Sequence, residues 1–350
     1  EEGHKRPRVG GQAADVIEQP PDRHTKRPGL ACHGGHGVRD GFQRRRRGDG
    51  QLVRQPAPDQ AQPRDRVVGA FDLPREAFEI VVIKTTGDAI LDRPLKDIGG
   101  KGLFTREIED DLLAGRIDIA VHSMKDMPVD QPAGLMLGCY LPREDVRDAF
   151  IAPTGGTLAE LAPGTKVGTS SLRRKAQLLH RRPDLEIVEF RGNVQTRLKK
   201  LEAGVAHCTF LAMAGLNRLG MADVPATPID TTDMLPAVAQ GAIGIERRDD
   251  DARAREMLSA LHDLETGQRL AAERAYLSAL DGSCETPIAG LATLDGGSIT
   301  LRGEILRTDG SEALSDTRTG PIEDAAAIGV ELAESLLARA GDGFFDWKTS

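Results

Sequence analysis

The stretch Ile117-Asp-Ile-Ala-Val-His-Ser-Met-Lys-Asp-Met-Pro128 joins a strand pattern to a charged turn. Residues 117–121 form a short apolar run rich in β-branched side chains, which predicts a buried strand. His122, Lys125 and Asp126 follow where that strand ends. In open α/β sheets, ligands bind outside the carboxyl ends of the strands. The stretch therefore favours an α/β fold with a binding turn, and the alternative is a local Lys-Asp ion pair beside a core histidine.

Three later turns place arginines where a predicted strand gives way to a predicted helix. They contain Arg173 and Arg174 after Ser171, Arg191 and Arg197 on either side of Asn193, and Arg218 after Ala214-Gly215. A cation near a helix N-terminus is disfavoured by the helix dipole, by roughly 0.3–1 kcal/mol. A bound carboxylate or phosphate offsets this penalty, because it accepts hydrogen bonds from guanidinium groups and from free helix N–H groups. The turns therefore indicate an anion site, with ligand-free surface arginines as the alternative.

Two further motifs add a lysine and a thiol. Gly99-Gly-Lys-Gly-Leu-Phe104 opens a predicted helix, with Lys101 at its start, and no G-x-x-x-x-G-K-[ST] phosphate loop is present. Leu280-Asp-Gly-Ser-Cys-Glu-Thr-Pro287 places Cys284 in a polar turn between a predicted helix and a predicted strand. A thiol in such a turn is available for chemistry, and an ordinary free cysteine is the alternative.

Composition limits the class of protein. With 350 residues and 39% hydrophobic content, the chain is long enough for two or three domains. No run of about 18 apolar residues and no signal-peptide pattern occur, so we expect a cytoplasmic protein that does not span a membrane. The four cysteines contain no C-x-x-C pair, which argues against a zinc site or a disulfide framework. Residues 66–350 carry 33 basic and 45 acidic side chains, and 3% of the chain is aromatic, which argues against nucleic-acid binding.

The first 65 residues differ from the rest of the chain. They contain seven prolines, ten glycines and a single aromatic residue, Phe42, and they show neither strand nor helix periodicity. Such a composition buries too little apolar surface to fold alone. We therefore predict that residues 1–65 are disordered.

Five of these motifs, in this order, resemble the porphobilinogen deaminase family. The resemblance runs from about Glu79 to about Leu337, through the motifs at 99–104, 118–126, 168–174, 191–197 and 280–284. It implies two periplasmic-binding-protein-like (type II) α/β domains flanking a cleft, plus a small C-terminal α+β domain. The predicted domains are residues 66–141 with 241–260, residues 142–240, and residues 261–345. Residues 234–246 predict a short helix running into a strand that returns to the first sheet, and residues 290–306 predict a two-stranded hairpin.

The resemblance also implies an activity and its site. The implied enzyme is a transferase that deaminates four porphobilinogen molecules and condenses them head to tail into hydroxymethylbilane, for tetrapyrrole and heme biosynthesis. It carries a dipyrromethane cofactor, attached to Cys284 through a thioether, and Asp126 is the implied catalytic residue because its carboxylate stabilises positive charge on a pyrrole nitrogen. The implied cofactor contacts are Lys101, Lys125, Asp126, Ser171, Arg173 and Arg174, and the implied substrate-carboxylate contacts are Arg191, Arg197 and Arg218. No metal is implied, and we expect a monomer.

One departure concerns the N-terminus. The family opens with a strand and the pattern Thr-Arg-x-Ser-x-Leu-Ala, which residues 1–78 do not contain. We therefore expect domain 1 to lack a central strand and the chain to be poorly active, as a shifted reading frame before about Arg64 would cause. Two other functions fit the same motifs: a non-catalytic carboxylate-binding protein of the same fold, and a cysteine hydrolase that uses Cys284 with a histidine.

Overall fold

The computed structural model describes residues 8–12, 79–83, 85, 105–283, 286–341 and 343–345. Within these residues the strands are, in chain order, β1 (Arg8–Gln12), β2 (Glu79–Ile83), β3 (Ile119–Ser123), β4 (Leu135–Tyr140), β5 (Asp148–Ile151), β6 (Lys166–Gly168), β7 (Glu186–Val188), β8 (Cys208–Ala212), β9 (Ala226–Pro228), β10 (Ile243–Arg248), β11 (Ile288–Asp295), β12 (Ser298–Leu306) and β13 (Ala313–Pro321). The helices are α1 (Arg106–Leu113), α2 (Leu172–Arg181), α3 (Val194–Glu202), α4 (Met213–Arg218), α5 (Ala252–Ser259), α6 (Leu264–Ala279) and α7 (Ala325–Arg339). None of the described helices is long and apolar enough to cross a bilayer.

The first sheet has the strand order β2-β1-β3-β10-β4. β1 runs parallel to β2 and β3, whereas β10 runs antiparallel to β3 and β4. The prediction that residues 1–65 are disordered is therefore wrong for Arg8–Gln12, and so is the prediction that domain 1 lacks a central strand. Backbone N–H and C=O groups pair whatever side chains they carry, so this short segment completes the ladder without a strand-like side-chain pattern. Because this sheet has its central strand, the reason given for expecting poor activity no longer holds.

The second sheet, ordered β7-β6-β8-β5-β9, repeats the topology of the first. β6 runs parallel to β7 and β8, and β5 runs antiparallel to β8 and β9. The chain crosses from the first domain to the second between β4 and β5, the outward crossing, and comes back between β9 and β10, the return crossing. In each sheet the antiparallel fourth strand, β10 or β5, directly follows one of these crossings. The predicted return to the first sheet is confirmed, whereas residues 234–240 form turns instead of the predicted helix. The result is the predicted pair of periplasmic-binding-protein-like domains.

The third domain packs α6 and α7 against an antiparallel sheet, β11-β12-β13. Its core contains Tyr276 from α6, Leu301 from β12 and Leu332 from α7, all fully buried. The predicted hairpin is confirmed as β11 and β12. The third strand, β13, was not predicted, because its sequence is mainly polar and it alternates only between half-buried and exposed positions at the edge of the sheet.

A buried ion pair ties both interdomain crossings to the third domain. Arg143, on the outward crossing, donates from Nη1 and Nη2 to the two carboxylate oxygens of Glu273 on α6, at 2.6 and 3.0 Å. Arg143 Nε also donates to the carbonyl oxygen of Gln240 on the return crossing, at 3.0 Å. Glu273 in turn accepts hydrogen bonds from the backbone N–H groups of Ala239 and Ala292. Since every oxygen and nitrogen involved has a partner, the charge pair is well accommodated in the interior.

Candidate functional site

The charged turn predicted from residues 122–128 is a 3-10 turn, Met124–Asp126, that begins directly after β3. Met124 and Met127 are 1% and 4% exposed, whereas Lys125 and Asp126 between them are half-buried. The two methionines belong to the same hydrophobic core as α6 and the third-domain sheet. Burial of the methionines therefore anchors the turn and leaves the two charged side chains available to the cleft.

Lys125 and Arg197 lie in one electrostatic cluster, although they belong to different domains. Burial lowers the pKa of Lys125; the Asp126 carboxylate opposes this shift, and the guanidinium groups of Arg174 and Arg197 reinforce it. Burial likewise lowers the pKa of Arg197 to about 10, with Arg174 adding to the shift and Asp126 opposing it. The fold therefore brings Asp126 of domain 1 close to the arginines of domain 2.

Arg173 and Arg174 share one fully buried carboxylate, Asp148, at the start of β5. Arg173 Nη1 lies 2.8 Å from Asp148 Oδ2, and Arg174 Nη2 lies 2.7 Å from Asp148 Oδ1. Gln240 Nε2 donates to the same Oδ1 at 2.9 Å. Burial alone would raise the pKa of Asp148, but the two guanidinium groups outweigh it and hold this pKa well below its usual range. Two cations and one anion leave a net positive charge at this buried point of domain 2.

This network fixes Arg173 and Arg174 in place. Arg173 Nη1 also donates to the carbonyl oxygen of Leu235 at 2.9 Å, and Arg174 Nη1 donates to that of Phe210 at 3.0 Å. Ser171, predicted together with them, caps α2 by accepting a hydrogen bond from the Arg174 backbone N–H at 3.4 Å. A role for these three residues in cofactor binding stays a prediction. In that role the two guanidinium groups would provide a positive charge at a fixed position, because their hydrogen bonds hold both side chains in place.

The turn before α3 is built locally, as predicted. The Asn193 side chain caps the helix by accepting a hydrogen bond from the Thr196 N–H at 2.8 Å. Arg197 Nε donates to the carbonyl oxygen of Gly192 at 2.7 Å, and Arg191 is buried. Gly192 has φ 121°, and a Cβ there would lie 2.6 Å from the Thr196 side chain, so the turn requires glycine. These contacts hold Arg191 and Arg197 near the cleft, and substrate binding by them is a prediction.

Arg218 lies at the interdomain crossing. Its Nη2 donates to the carbonyl oxygen of Gly241, on the return crossing, at 2.7 Å. The preceding residue, Asn217, donates to Glu144 Oε1 on the outward crossing at 3.1 Å. Arg218 therefore connects α4 to the return crossing. Its contact with a substrate carboxylate remains a prediction.

His122 has the structural role that was considered as the alternative. Its Nε2 lies 3.1 Å from Glu246 Oε2 on the neighbouring β10, and both side chains are fully buried. A side chain with no exposed surface cannot touch a ligand in the cleft. His122 is therefore a core histidine, whereas Lys125 and Asp126 of the same motif remain accessible.

Lys101 and Cys284 lie outside the described residues, so their predicted roles remain predictions. The residues on either side of Cys284 form a closed turn: Ser283 N donates to Thr286 Oγ1 at 3.0 Å, and Thr286 Oγ1 donates to the carbonyl oxygen of Ser283 at 2.7 Å. The turn follows Leu280, the C-cap of α6. In the part of the chain that is described, no cluster of His, Cys, Asp and Glu suits a metal ion.

The residue that the sequence analysis missed is Asp148. Its only local signal is a carboxylate at the head of the apolar run Asp148-Ala-Phe-Ile, all of which is buried in the second sheet. An acidic residue in a fully buried strand requires a cationic partner. That rule would have flagged Asp148, but only the tertiary structure identifies its partners as Arg173 and Arg174.

Comparisons with family models and with the sequences of known proteins match the same family along most of the chain. Residues 60–256 match the family model described as porphobilinogen deaminase, dipyromethane cofactor binding domain, and residues 268–338 match that of the porphobilinogen deaminase C-terminal domain. The chain is similar to a porphobilinogen deaminase of Paracoccus denitrificans, at 64% identity over 81% of this chain and 91% of that one. It is also similar to a chloroplastic porphobilinogen deaminase of Oryza sativa, at 55% identity over 77% of this chain and 76% of that one.

Neither family model covers residues 1–59. Among solved structures, the chain is similar to an arginine-specific periplasmic binding protein of Salmonella typhimurium, at 13% identity and a TM-score of 0.36 over 75% of this chain and 96% of that one. That TM-score is too low to bear on the fold, which rests on the order of the strands in the two sheets.

Proposed function

Because this chain belongs to the porphobilinogen deaminase family, we propose that it deaminates four porphobilinogen molecules and condenses them head to tail into hydroxymethylbilane, as a transferase of tetrapyrrole and heme biosynthesis. The observation that carries this proposal is the convergence of Lys125 and Asp126 with Arg174 and Arg197 on one cleft. A site with several cations beside the half-buried carboxylate of Asp126 suits a substrate that is anionic but develops positive charge as it reacts. We also propose that the protein is a monomer and acts in the cytoplasm.

The cations of the cleft bind and orient the pyrrole carboxylates. Each pyrrole of the substrate carries an acetate and a propionate, which favour guanidinium and ammonium partners. Burial lowers the pKa values of Lys125 and Arg197, which shows that their positive charges are poorly hydrated in this structure. A bound carboxylate removes that cost. The Asp148 network adds a fixed positive charge beside them, at Arg173 and Arg174.

Asp126 supplies the accessible negative charge for the reaction itself. When the carbon–nitrogen bond of porphobilinogen breaks and ammonia leaves, positive charge spreads over the pyrrole ring and its nitrogen. A carboxylate already held in position stabilises this charge more than solvent does, because it does not have to reorient. The buried side chains of Met124 and Met127 on either side of the pair keep Asp126 in place.

The residues described in the structure fit the dipyrromethane cofactor for which the matching family model is named. The cofactor is anionic, and Lys125, Arg174 and Arg197 form a cationic cluster whose burial disfavours unpaired charge. Cys284 would hold it covalently, four positions after the C-cap of α6 in the sequence. When bound, the cofactor supplies the pyrrole carbon to which the first substrate unit is joined.

The test combines intact mass with turnover. We expect the denatured chain to be heavier than its sequence by two pyrrole units and to consume porphobilinogen with release of ammonia. A carboxylate-binding protein would bind porphobilinogen reversibly, without added mass or ammonia. A cysteine hydrolase would lack the two-pyrrole adduct, so either result overturns the proposal.

Asp126→Asn is expected to lower kcat by about 10²-fold or more and to leave the affinity for porphobilinogen largely unchanged. The amide keeps the shape of the side chain but loses the charge that faces the developing cation. Steady-state kinetics measure kcat, and equilibrium binding of porphobilinogen to the Asp126→Asn protein measures the affinity. If kcat is unchanged while affinity falls, Asp126 is a binding residue and the catalytic carboxylate lies elsewhere.

Arg197→Leu is expected to stall chain growth, because it removes a carboxylate partner from the cleft. Native mass spectrometry after addition of porphobilinogen should show enzyme-bound intermediates of one particular length building up. Lys199→Leu is a matched control, since Lys199 is exposed on the same helix. The same distribution of intermediates in both variants would place Arg197 outside the substrate path.

A further inference from the structure

The turn that carries Asp126 belongs to domain 1 by sequence but docks on the third domain. Met124 and Met127 share a hydrophobic core with Leu270 and Tyr276 of α6 and with Leu280 at the end of that helix. All five side chains are at most 4% exposed. Burial of the two methionines removes apolar surface from water and so stabilises this contact. The position of the turn is therefore set by α6 as well as by β3.

Arg274 makes a second, directional connection between α6 and this turn. Its Nη2 donates to the carbonyl oxygen of Pro128 at 2.9 Å and to that of Val129 at 2.7 Å. These carbonyls follow Asp126 by two and three residues. Burial lowers the pKa of Arg274, and the Tyr140 hydroxyl group and the Asp130 carboxylate oppose that shift. Hydrogen bonds from a charged donor are about twice as strong as neutral ones, so Arg274 restricts the turn where it leaves Asp126.

The same helix leads to the cofactor cysteine. Arg274 lies six residues before Leu280, a rise of about 9 Å along a regular helix. Leu280 is fully buried and is the C-cap of α6, four positions before Cys284 in the sequence. α6 is therefore a rigid element that contacts the Asp126 turn and ends at a buried, fixed residue.

From this geometry we propose that Arg274 is a positioning residue: it fixes the Asp126 turn relative to α6. The proposal rests on the function proposed above. Arg274 touches neither substrate nor cofactor in this role; it acts through the carbonyl oxygens of Pro128 and Val129. Small displacements of a reacting group are costly, since a shift of about 1 Å lowers rates by as much as about 10²-fold. Without Arg274, Asp126 is expected to remain present but to be placed less accurately.

The first experiment compares Arg274→Met with Arg269→Met in the full chain. Arg269 lies on the same helix but pairs with the exposed Glu265, so it controls for loss of an arginine from α6. We expect Arg274→Met to load the cofactor, as intact mass would show, and to keep its KM within about twofold while kcat falls by about 10-fold or more. Arg269→Met is expected to match the unsubstituted chain.

The second experiment does not depend on activity. Hydrogen exchange of the backbone amides in residues 124–130 is expected to be faster in Arg274→Met than in Arg269→Met, with unchanged exchange in the second sheet. Addition of free ethylguanidinium to Arg274→Met is expected to restore part of kcat, which a purely structural role would not predict. If Arg274→Met does not fold, Arg274→Lys provides the same measurements with one donor group retained.

Two negative results have different meanings. If the unsubstituted chain carries no two-pyrrole adduct and consumes no porphobilinogen, the proposed function fails and this inference fails with it. If the unsubstituted chain is active and Arg274→Met keeps its kcat, or loses kcat only in proportion to its folded fraction, the proposed function stands and Arg274 has no positioning role.

Discussion

Cys284→Ser is expected to give a folded protein that carries no covalent cofactor and does not consume porphobilinogen. Formation of a thioether requires the sulfur nucleophile, whereas a hydroxyl group of similar size fits the same turn. The hydrogen bonds between Ser283 and Thr286 that close the turn do not involve the Cys284 side chain. Intact mass of the denatured protein measures the cofactor, and circular dichroism measures the fold.

The loss is expected to be complete, because the two cysteines in the described part of the chain cannot replace Cys284. Cys139 and Cys208 are both fully buried, and burial raises the pKa of each thiol to about 12. They therefore remain protonated and inaccessible at neutral pH. A Cys284→Ser protein that retains turnover, or an unsubstituted chain without added mass, would contradict the assignment of the cofactor to Cys284.

Asp148→Asn is expected to lower the free energy of unfolding by about 3–5 kcal/mol, out of a typical total of about 5–15 kcal/mol. The substitution leaves Arg173 and Arg174 buried without an opposing charge, since both donate to the Asp148 carboxylate. Chemical denaturation with a conformational probe measures the change. Cofactor loading is expected to fall as well, because α2 and the start of β5 lose their shared anchor.

The matched control is Asp145→Asn. Asp145 also pairs with an arginine, but its partner Arg147 has a side chain 43% exposed. Pairs of this kind contribute about 0–1 kcal/mol. If the two substitutions cost the same free energy of unfolding, the Asp148 network is not the anchor that its geometry indicates.

The Asp148 carboxylate also predicts a pH dependence. Its pKa is lower in the folded protein than the value of about 3.9 expected in the unfolded chain. Its contribution to stability is therefore complete above about pH 4 and is lost as the pH falls toward the folded-state value. Asp148→Asn lacks this contribution, so its unfolding free energy is expected to change less with pH below about 4 than that of the unsubstituted chain.

Local features of this protein follow from its sequence. The predicted changes from strand to helix at Ser171 and Asn193 are capped by these side chains, and both accept a hydrogen bond from an N–H group three residues later. β3 and the charged turn after it lie within two residues of their predicted positions. Caps, turns and short strands depend mainly on residues that are close together in the sequence, so a local sequence pattern can predict them. The same locality allowed the charged turn to be predicted from consecutive residues.

Features that depend on distant partners were decided only by the tertiary structure. Arg8–Gln12 is a strand because β2 and β3 pair with its backbone, although its side chains show no strand pattern. Asp148 is paired because α2 brings Arg173 and Arg174 to it across 25 and 26 positions of the chain. The turn that carries Asp126 is bonded to α6 through Arg274, which lies about 145 positions further along. Pairing and burial between residues so far apart in the sequence depend on the tertiary fold. A local sequence pattern therefore cannot predict which residues pair.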